Sequence, residues 1–330
     1  MAKRRAKKQG GEERTKRRAT PVPGDEASEP TRRAAPRDEA PPAPKPESAR
    51  PAPRPLFLVA AIGAVLAIAG VAYFTSNDRT QGQDIEEIEL DAVASPPELL
   101  RANVVRRFPH DTEAFTQGLL WHDGHLYEST GLRGRSSLRK VALESGEVLE
   151  RREVDRAHFA EGLALVRDRL IQLTWRNGIA HEWSVDGFRH RRTFEYDGEG
   201  WGLCYDGRHL VMSDGTARLT FRDPSTFREV RRVTVRNEGR AVADLNELEC
   251  VDGAVWANVW QRDEILRIDP ASGRVTAVVD ASGLLTDAEA MDTDVLNGIA
   301  WIPEREHFVV TGKLWPHLFE IELVPRTRRP

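Results

Sequence analysis

The sequence predicts an all-β fold, and three observations carry the prediction. Five segments of one pattern begin at Gly118, Gly162, Gly202, Leu248 and Gly298, spaced 44, 40, 46 and 50 residues apart. Each alternates apolar and polar residues in two short runs joined by a turn rich in Asp, Gly or charge, which reads as a hairpin. Two further strand-like pieces lie between successive segments, such as "SSLRKVAL" with "GEVLERREV". Four strands at this period form the pattern of a β-propeller blade. The expected architecture is therefore a five-bladed β-propeller over residues 101–330.

Three elements precede it. Residues 1–54 hold 15 Lys/Arg against 8 Asp/Glu, and 11 of the 20 prolines fall within 21–55. Such a composition cannot bury enough apolar surface to fold, so a disordered, basic, Pro-rich tail is expected. Residues 55–74 read as a transmembrane helix, because "LFLVAAIGAVLAIAGVAYF" (56–74) is uncharged over 19 residues, about a bilayer's thickness. The chain's net charge of −4 leaves −11 for the remainder, so the basic tail should stay cytoplasmic while the acidic part crosses. A single-pass inner-membrane protein with a periplasmic or otherwise extracytoplasmic domain is expected. The basic run "AKRRAKK" (2–8) is explained by topology and anionic lipid rather than by nucleic acid. Residues 75–100 read as an acidic linker.

The five hairpins are "GLLWHDGHLYEST", "GLALVRDRLIQLTW", "GLCYDGRHLVMSD", "LECVDGAVWANVW" and "GIAWIPEREHFVVTGK". The fifth unit ends one strand short, and "NVVRRFPHD" (103–111) can fill the gap, removing an open edge. In a propeller the residue before each hairpin lines one mouth of the axial channel: Gln117, Glu161, Trp201, Glu247 and Asn297. Trp175, Trp260 and Lys313 recur at the ends of second strands, at the same or the opposite mouth according to register. The tryptophans could equally be core between blades. "GEGWG" (198–202) favours a ligand's close approach to Trp201, because glycines leave room beside it.

Other chemistries find little support. No Cys/His cluster has zinc spacing, and Ser129 and Ser213 lack a nucleophile elbow. "DTDVLNG" (292–298) has oxygen ligands for a structural calcium but misses the helix–loop–helix spacing. Cys204 and Cys250 occupy equivalent positions on neighbouring inner strands, so a disulfide between them is sterically plausible; two buried thiols are the alternative.

"FPHDTEAFTQGLLW", "LYESTGLRGRSSLRKV", "FAEGLALV", "YDGEGWGL", "LNELE", "DVLNGIAW" and "VTGKLWPHLFEIEL" occur co-linearly over 103–323. Together they resemble the plant and bacterial glutaminyl-peptide cyclotransferases, unrelated to the zinc-dependent animal cyclases. The resemblance implies a five-bladed propeller that converts the N-terminal glutamine of peptides to pyroglutamate, releasing ammonia, with no cofactor required. It assigns proton transfer to Glu161, oxyanion stabilisation or Glu161 orientation to Lys313, and binding of the substrate amide or N-terminus to Gln117 and Asn246. Phe115, Trp175, Trp201 and Trp260 would wall the pocket. Taken alone, Lys313 could be a surface ion pair and Glu247 could be the working carboxylate. Ala160 departs from the expected glycine by one methyl group. A non-catalytic platform for peptides or envelope proteins is the alternative function, and it would need neither Glu161 nor Lys313.

Overall fold

The computed structural model describes residues 95–326. The expected tail over 1–54, the expected helix over 55–74 and most of the expected linker lie outside them. Among the described residues no helix is long and apolar enough to cross a membrane.

The described chain is almost wholly β. Strand β1 (Glu98–Pro109) is followed by a four-stranded antiparallel sheet of β2 (Thr116–His122), β3 (His125–Thr130), β4 (Ser137–Val141) and β5 (Val148–Glu153). A second sheet comprises β6 (Ala160–Val166), β7 (Arg169–Thr174), β8 (Ile179–Ser184) and β9 (His190–Glu195). A third comprises β10 (Leu203–Tyr205), β11 (Leu210–Ser213), β12 (Arg218–Arg222) and β13 (Glu229–Thr234). After the small hairpin of β14 (Arg236–Asn237) and β15 (Arg240–Ala241) come β16 (Leu245–Val251), β17 (Ala254–Val259), β18 (Glu264–Ile268) and β19 (Val275–Asp280). One turn of helix, α1 (Asp287–Ala290), precedes β20 (Leu296–Ile302), β21 (His307–Gly312) and β22 (His317–Pro325). The small hairpin and α1 are insertions, which accounts for the two longest repeat spacings.

Strand β1 lies antiparallel to β22, from Leu100↔Pro325 to Pro109↔His317, and supplies the fourth strand that the fifth sheet lacks. Its first residues also pair in parallel with β19, which joins the last two sheets into one of eight strands. This second pairing starts the strand at Glu98, inside the segment read as linker. The pairing partner is almost 180 residues away, so local composition could not reveal it.

First strands pack in cyclic order: β2 on β6, β6 on β10, β10 on β16, β16 on β20, and β20 back on β2. Apolar side chains fill the gaps between neighbouring sheets in five clusters, as where Leu120, Tyr127 and Leu138 meet Leu163, Leu170 and Trp183. The glycine that opens most repeats follows from this packing. A Cβ on Gly118 would sit 2.6 Å from the Leu163 nitrogen, and one on Gly162 2.5 Å from the Leu203 nitrogen. The outer hairpin turns use Asp-Gly: Asp123–Gly124 and Asp252–Gly253 both have positive φ, as a two-residue hairpin loop demands. A disulfide joins Cys204 on β10 to Cys250 on β16, linking the third and fourth sheets.

Candidate functional site

Hairpin register brings the two sets of mouth residues together. Thr116 pairs with Thr130, Ala160 with Thr174, Leu245 with Val259 and Leu296 with Gly312. The starts of first strands and the ends of second strands therefore share one rim. At that rim each of these four ladders slips, between Thr116 and Gly118, Ala160 and Leu163, Leu245 and Leu248, and Leu296 and Ile299. A bulge of this kind re-aims side chains that regular pleating would send elsewhere. The displaced residues are Gln117, Glu161, Asn246, Glu247 and Asn297, and all are buried.

Glu161 is 4 % exposed and accepts one hydrogen bond at its carboxylate, from Gln117 Nε2 to Oε1 at 3.1 Å. The other oxygen has no protein partner among the described residues. Burial pushes its carboxyl well above the ordinary value; the Lys313 charge pulls it back and the Glu199 charge pushes it up again. Lys313, 5 % exposed, sets its Nζ 4.9 Å from the centre of the Phe115 ring and makes no hydrogen bond through it among the described residues. Burial lowers its pKa, while Glu161 and Asp294 raise it. The surface ion pair open to Lys313 in the sequence is excluded by this burial.

Gln117 sits inside a side-chain relay. Its Oε1 accepts from Asn297 Nδ2 at 3.1 Å while its Nε2 donates to Glu161, so each end of the amide has one partner within the protein. Asn297 Nδ2 also donates to the Thr116 carbonyl at 3.0 Å, which fixes the direction of the whole relay. This geometry gives Gln117 a hold on Glu161. Asn246 keeps an amide with no side-chain partner among the described residues. Asn297 also weakens the calcium reading of 292–298, because its side chain turns inward. Asp294 meanwhile accepts from the Val295 amide. Among the described residues no group of three or more His, Cys, Asp or Glu side chains could hold a metal ion.

The aromatic residues form a wall. Phe115 meets Phe159 edge-on at 6.0 Å, Phe159 meets Trp175 at 5.7 Å, and Trp201 meets Trp260 at 5.9 Å. Trp175, Trp201 and Trp260 belong to none of the inter-sheet clusters, whereas Trp183, Trp256 and Trp315 do. Glu199 joins the two halves of the wall: one oxygen accepts the Trp175 indole N–H at 2.8 Å and the Trp201 indole N–H at 3.0 Å. Its other oxygen takes Arg176 at 2.8 Å, and its own pKa is lowered because these hydrogen bonds and the Arg176 charge outweigh burial. Glu199 and Phe159 had no assigned role in the sequence. The signal for Glu199 was its place two residues before Trp201 in "GEGWG".

Glu247, the rival carboxylate, is fully enclosed. Its Oε2 accepts from the Ile299 amide at 2.8 Å and its Oε1 from the Leu119 amide at 3.3 Å, tying β16 to β20 and β2. Among the described residues, the rim therefore brings a carboxylate oxygen, an ammonium and a carboxamide without hydrogen-bond partners together with an aromatic wall.

The glutamine cyclotransferase family profile matches residues 71–323. The chain is 44% identical over 225 residues to a glutaminyl-peptide cyclotransferase of Arabidopsis thaliana, covering 67% of this chain and 70% of that protein. It is also similar to the crystal structure of Myxococcus xanthus glutaminyl cyclase, at 44% identity and a TM-score of 0.64, over 70% of this chain and the whole of the other.

Proposed function

The chain belongs to the glutamine cyclotransferase family, and from that premise we propose how its residues divide the work. It is a glutaminyl-peptide cyclotransferase: an N-terminal glutamine closes on itself to pyroglutamate and ammonia leaves. We read the five sheets as the blades of a five-bladed propeller, a reading supported by the cyclic order of first strands and by the strand that β1 lends to β22.

The reaction forms one bond between the α-nitrogen and the side-chain amide carbon and breaks one between that carbon and its nitrogen. The substrate supplies both partners, so the enzyme need only hold it folded, relay a proton and steady an oxyanion. A free α-amine has a pKa of about 7.7–8.0, so a neutral fraction is present near pH 7 without a strong base. The unpartnered Glu161 oxygen takes a proton from the attacking amine and returns it to the departing nitrogen, which leaves as ammonia. A carboxyl held above its usual pKa by burial suits both transfers. The Lys313 ammonium faces the carbonyl oxygen as negative charge gathers there, and Asn246 binds the glutamine amide or its N-terminus. Phe115, Trp175, Trp201 and Trp260 enclose the side chain. Gln117 and Asn297 aim Glu161 and are positioning residues.

The single observation that carries this assignment is the buried Glu161 carboxylate, held at one oxygen and unpartnered at the other, with an unbonded Lys313 ammonium in its electrostatic reach. Its test is ammonia release from a Gln-initiated peptide by the full chain and by Glu161→Gln. Retained turnover in the variant would move the proton carrier elsewhere. The scheme uses protein side chains alone, so EDTA should leave the rate unchanged.

Residues 56–74 are proposed as a single membrane anchor, with the basic tail cytoplasmic and the folded part extracytoplasmic. The charge asymmetry supports this, as does a disulfide, which persists in oxidising compartments. No role with nucleic acid is proposed.

A further inference from the structure

Loop 131–136 carries Arg133 and Arg135, and the segment entering β6 carries Arg156; all three are exposed. None has an ion-pair partner among the described residues, although the chain beyond residue 54 carries a net −11. Three acids on these and flanking segments are paired elsewhere, while Glu113 and Asp155 have no ion-pair partner among the described residues. Asp111 pairs with Arg139, Glu153 with Arg151 and Glu199 with Arg176. One oxygen of Asp155 accepts from the Ala157 amide.

The segments that carry these arginines lie at the rim that holds the aromatic wall. The meander returns to the rim after β3 and again after β5, which puts both segments at the mouth. A side chain on Gly131, where the loop begins, would strike the Phe159 ring of the pocket wall. Ser136 donates to the carbonyls of Leu132 and His158, fastening the loop to the segment that ends in Phe159. A Cβ on Gly134 would lie 3.7 Å from an Arg156 guanidinium nitrogen, so the two segments are adjacent.

Resting on the reading that N-terminal glutamine is bound beneath this wall, we propose that Arg133, Arg135 and Arg156 form a subsite for the residues that follow it. That subsite selects peptides carrying Asp or Glu there. Three solvated guanidinium groups attract carboxylates modestly and in a salt-dependent way. The pyroglutamate product gains no new charge near them, so the preference acts on capture of the substrate.

The experiment compares kcat/KM of the full chain for Gln-Glu-Glu, Gln-Ala-Ala and Gln-Lys-Lys peptides of otherwise equal sequence. The acidic peptide should lead the basic one by roughly tenfold at low salt, mainly through KM, with the lead shrinking as NaCl screens it. In R133Q/R135Q/R156Q the ratio should fall to within about twofold of unity. The salt series on the unmutated chain provides the second reading should that variant fold poorly. Equal turnover of all three peptides by the unmutated chain overturns the subsite alone. Absence of turnover for every peptide overturns the cyclase assignment and the subsite with it.

Discussion

Glu161 and Glu247 occupy the same repeat position, each at a ladder slip at the inner end of a sheet. Both are buried, and burial holds both carboxyls well above their ordinary pKa. They differ in what meets their oxygens. Two backbone amides, on β2 and β20, take both oxygens of Glu247. Glu161 has a single side-chain partner, its second oxygen has none among the described residues, and it feels the charge of an unbonded ammonium, Lys313. A raised pKa is therefore common to both, and the unpartnered oxygen is what sets Glu161 apart.

The largest expected effect separates the two directly. Glu161→Gln should lower kcat by about 10²–10⁴-fold, the usual value of a positioned proton carrier, with little change in melting temperature. Glu247→Gln should leave kcat nearly intact but destabilise by about 1–3 kcal/mol, because an amide group then faces a backbone N–H. Steady-state kinetics beside urea melts of both variants read the contrast, and a reversed pattern would exchange their roles. Lys313→Ala comes next, with a loss of about 3–4 kcal/mol of transition-state stabilisation seen in kcat.

Removing the third-to-fourth sheet link with Cys204→Ser and Cys250→Ser should cost about 2–4 kcal/mol in denaturant unfolding, while kcat per folded molecule holds. A smaller effect is expected from Asn297→Ala. It frees the Gln117 amide to rotate and should lower kcat by roughly tenfold, about 1.4 kcal/mol, with KM little changed. A large rise in KM instead would return Gln117 to substrate binding.

Glu161 and Glu249, two residues beyond Glu247, also predict different pH signatures. In the proposed scheme turnover needs Glu161 ionised and Lys313 protonated. With the Glu161 pKa raised and the Lys313 pKa lowered, kcat/KM should fall on the acid side above the usual carboxylate range and on the basic side below the usual lysine range. The Glu247 neighbourhood appears in stability instead. Glu249 is pushed up to about 8 by burial. Its folded pKa lies above its unfolded value of about 4.3, so the folded state holds the extra proton. The stability it contributes is complete below that value and lost as pH rises to about 8. Unfolding free energies measured across this window should decline with pH, and a flat profile would refute the assignment.

Much of the fold was legible because hairpins are local. The "HDG" and "VDG" turns and the alternating strands around them state their structure within a dozen residues. The site was partly legible. Glu161 stands out as a charge at the mouth of an apolar strand, whereas the Asn297–Gln117–Glu161 relay has no local sign, because Asn297 lies 180 residues from Gln117. Glu199 was passed over because a carboxylate between glycines carries no local sign that it will receive two indole N–H groups.

By itself the sequence determined the strands, their turns, the repeat and the residues at each repeat's inner end, since all of these depend on neighbours in the chain. Only the tertiary structure decided which inner-end carboxylate was tied off by backbone amides and which kept an oxygen unpartnered. That choice depends on strands from other sheets arriving at the rim, and on bulges whose direction appears only when the ladders are paired.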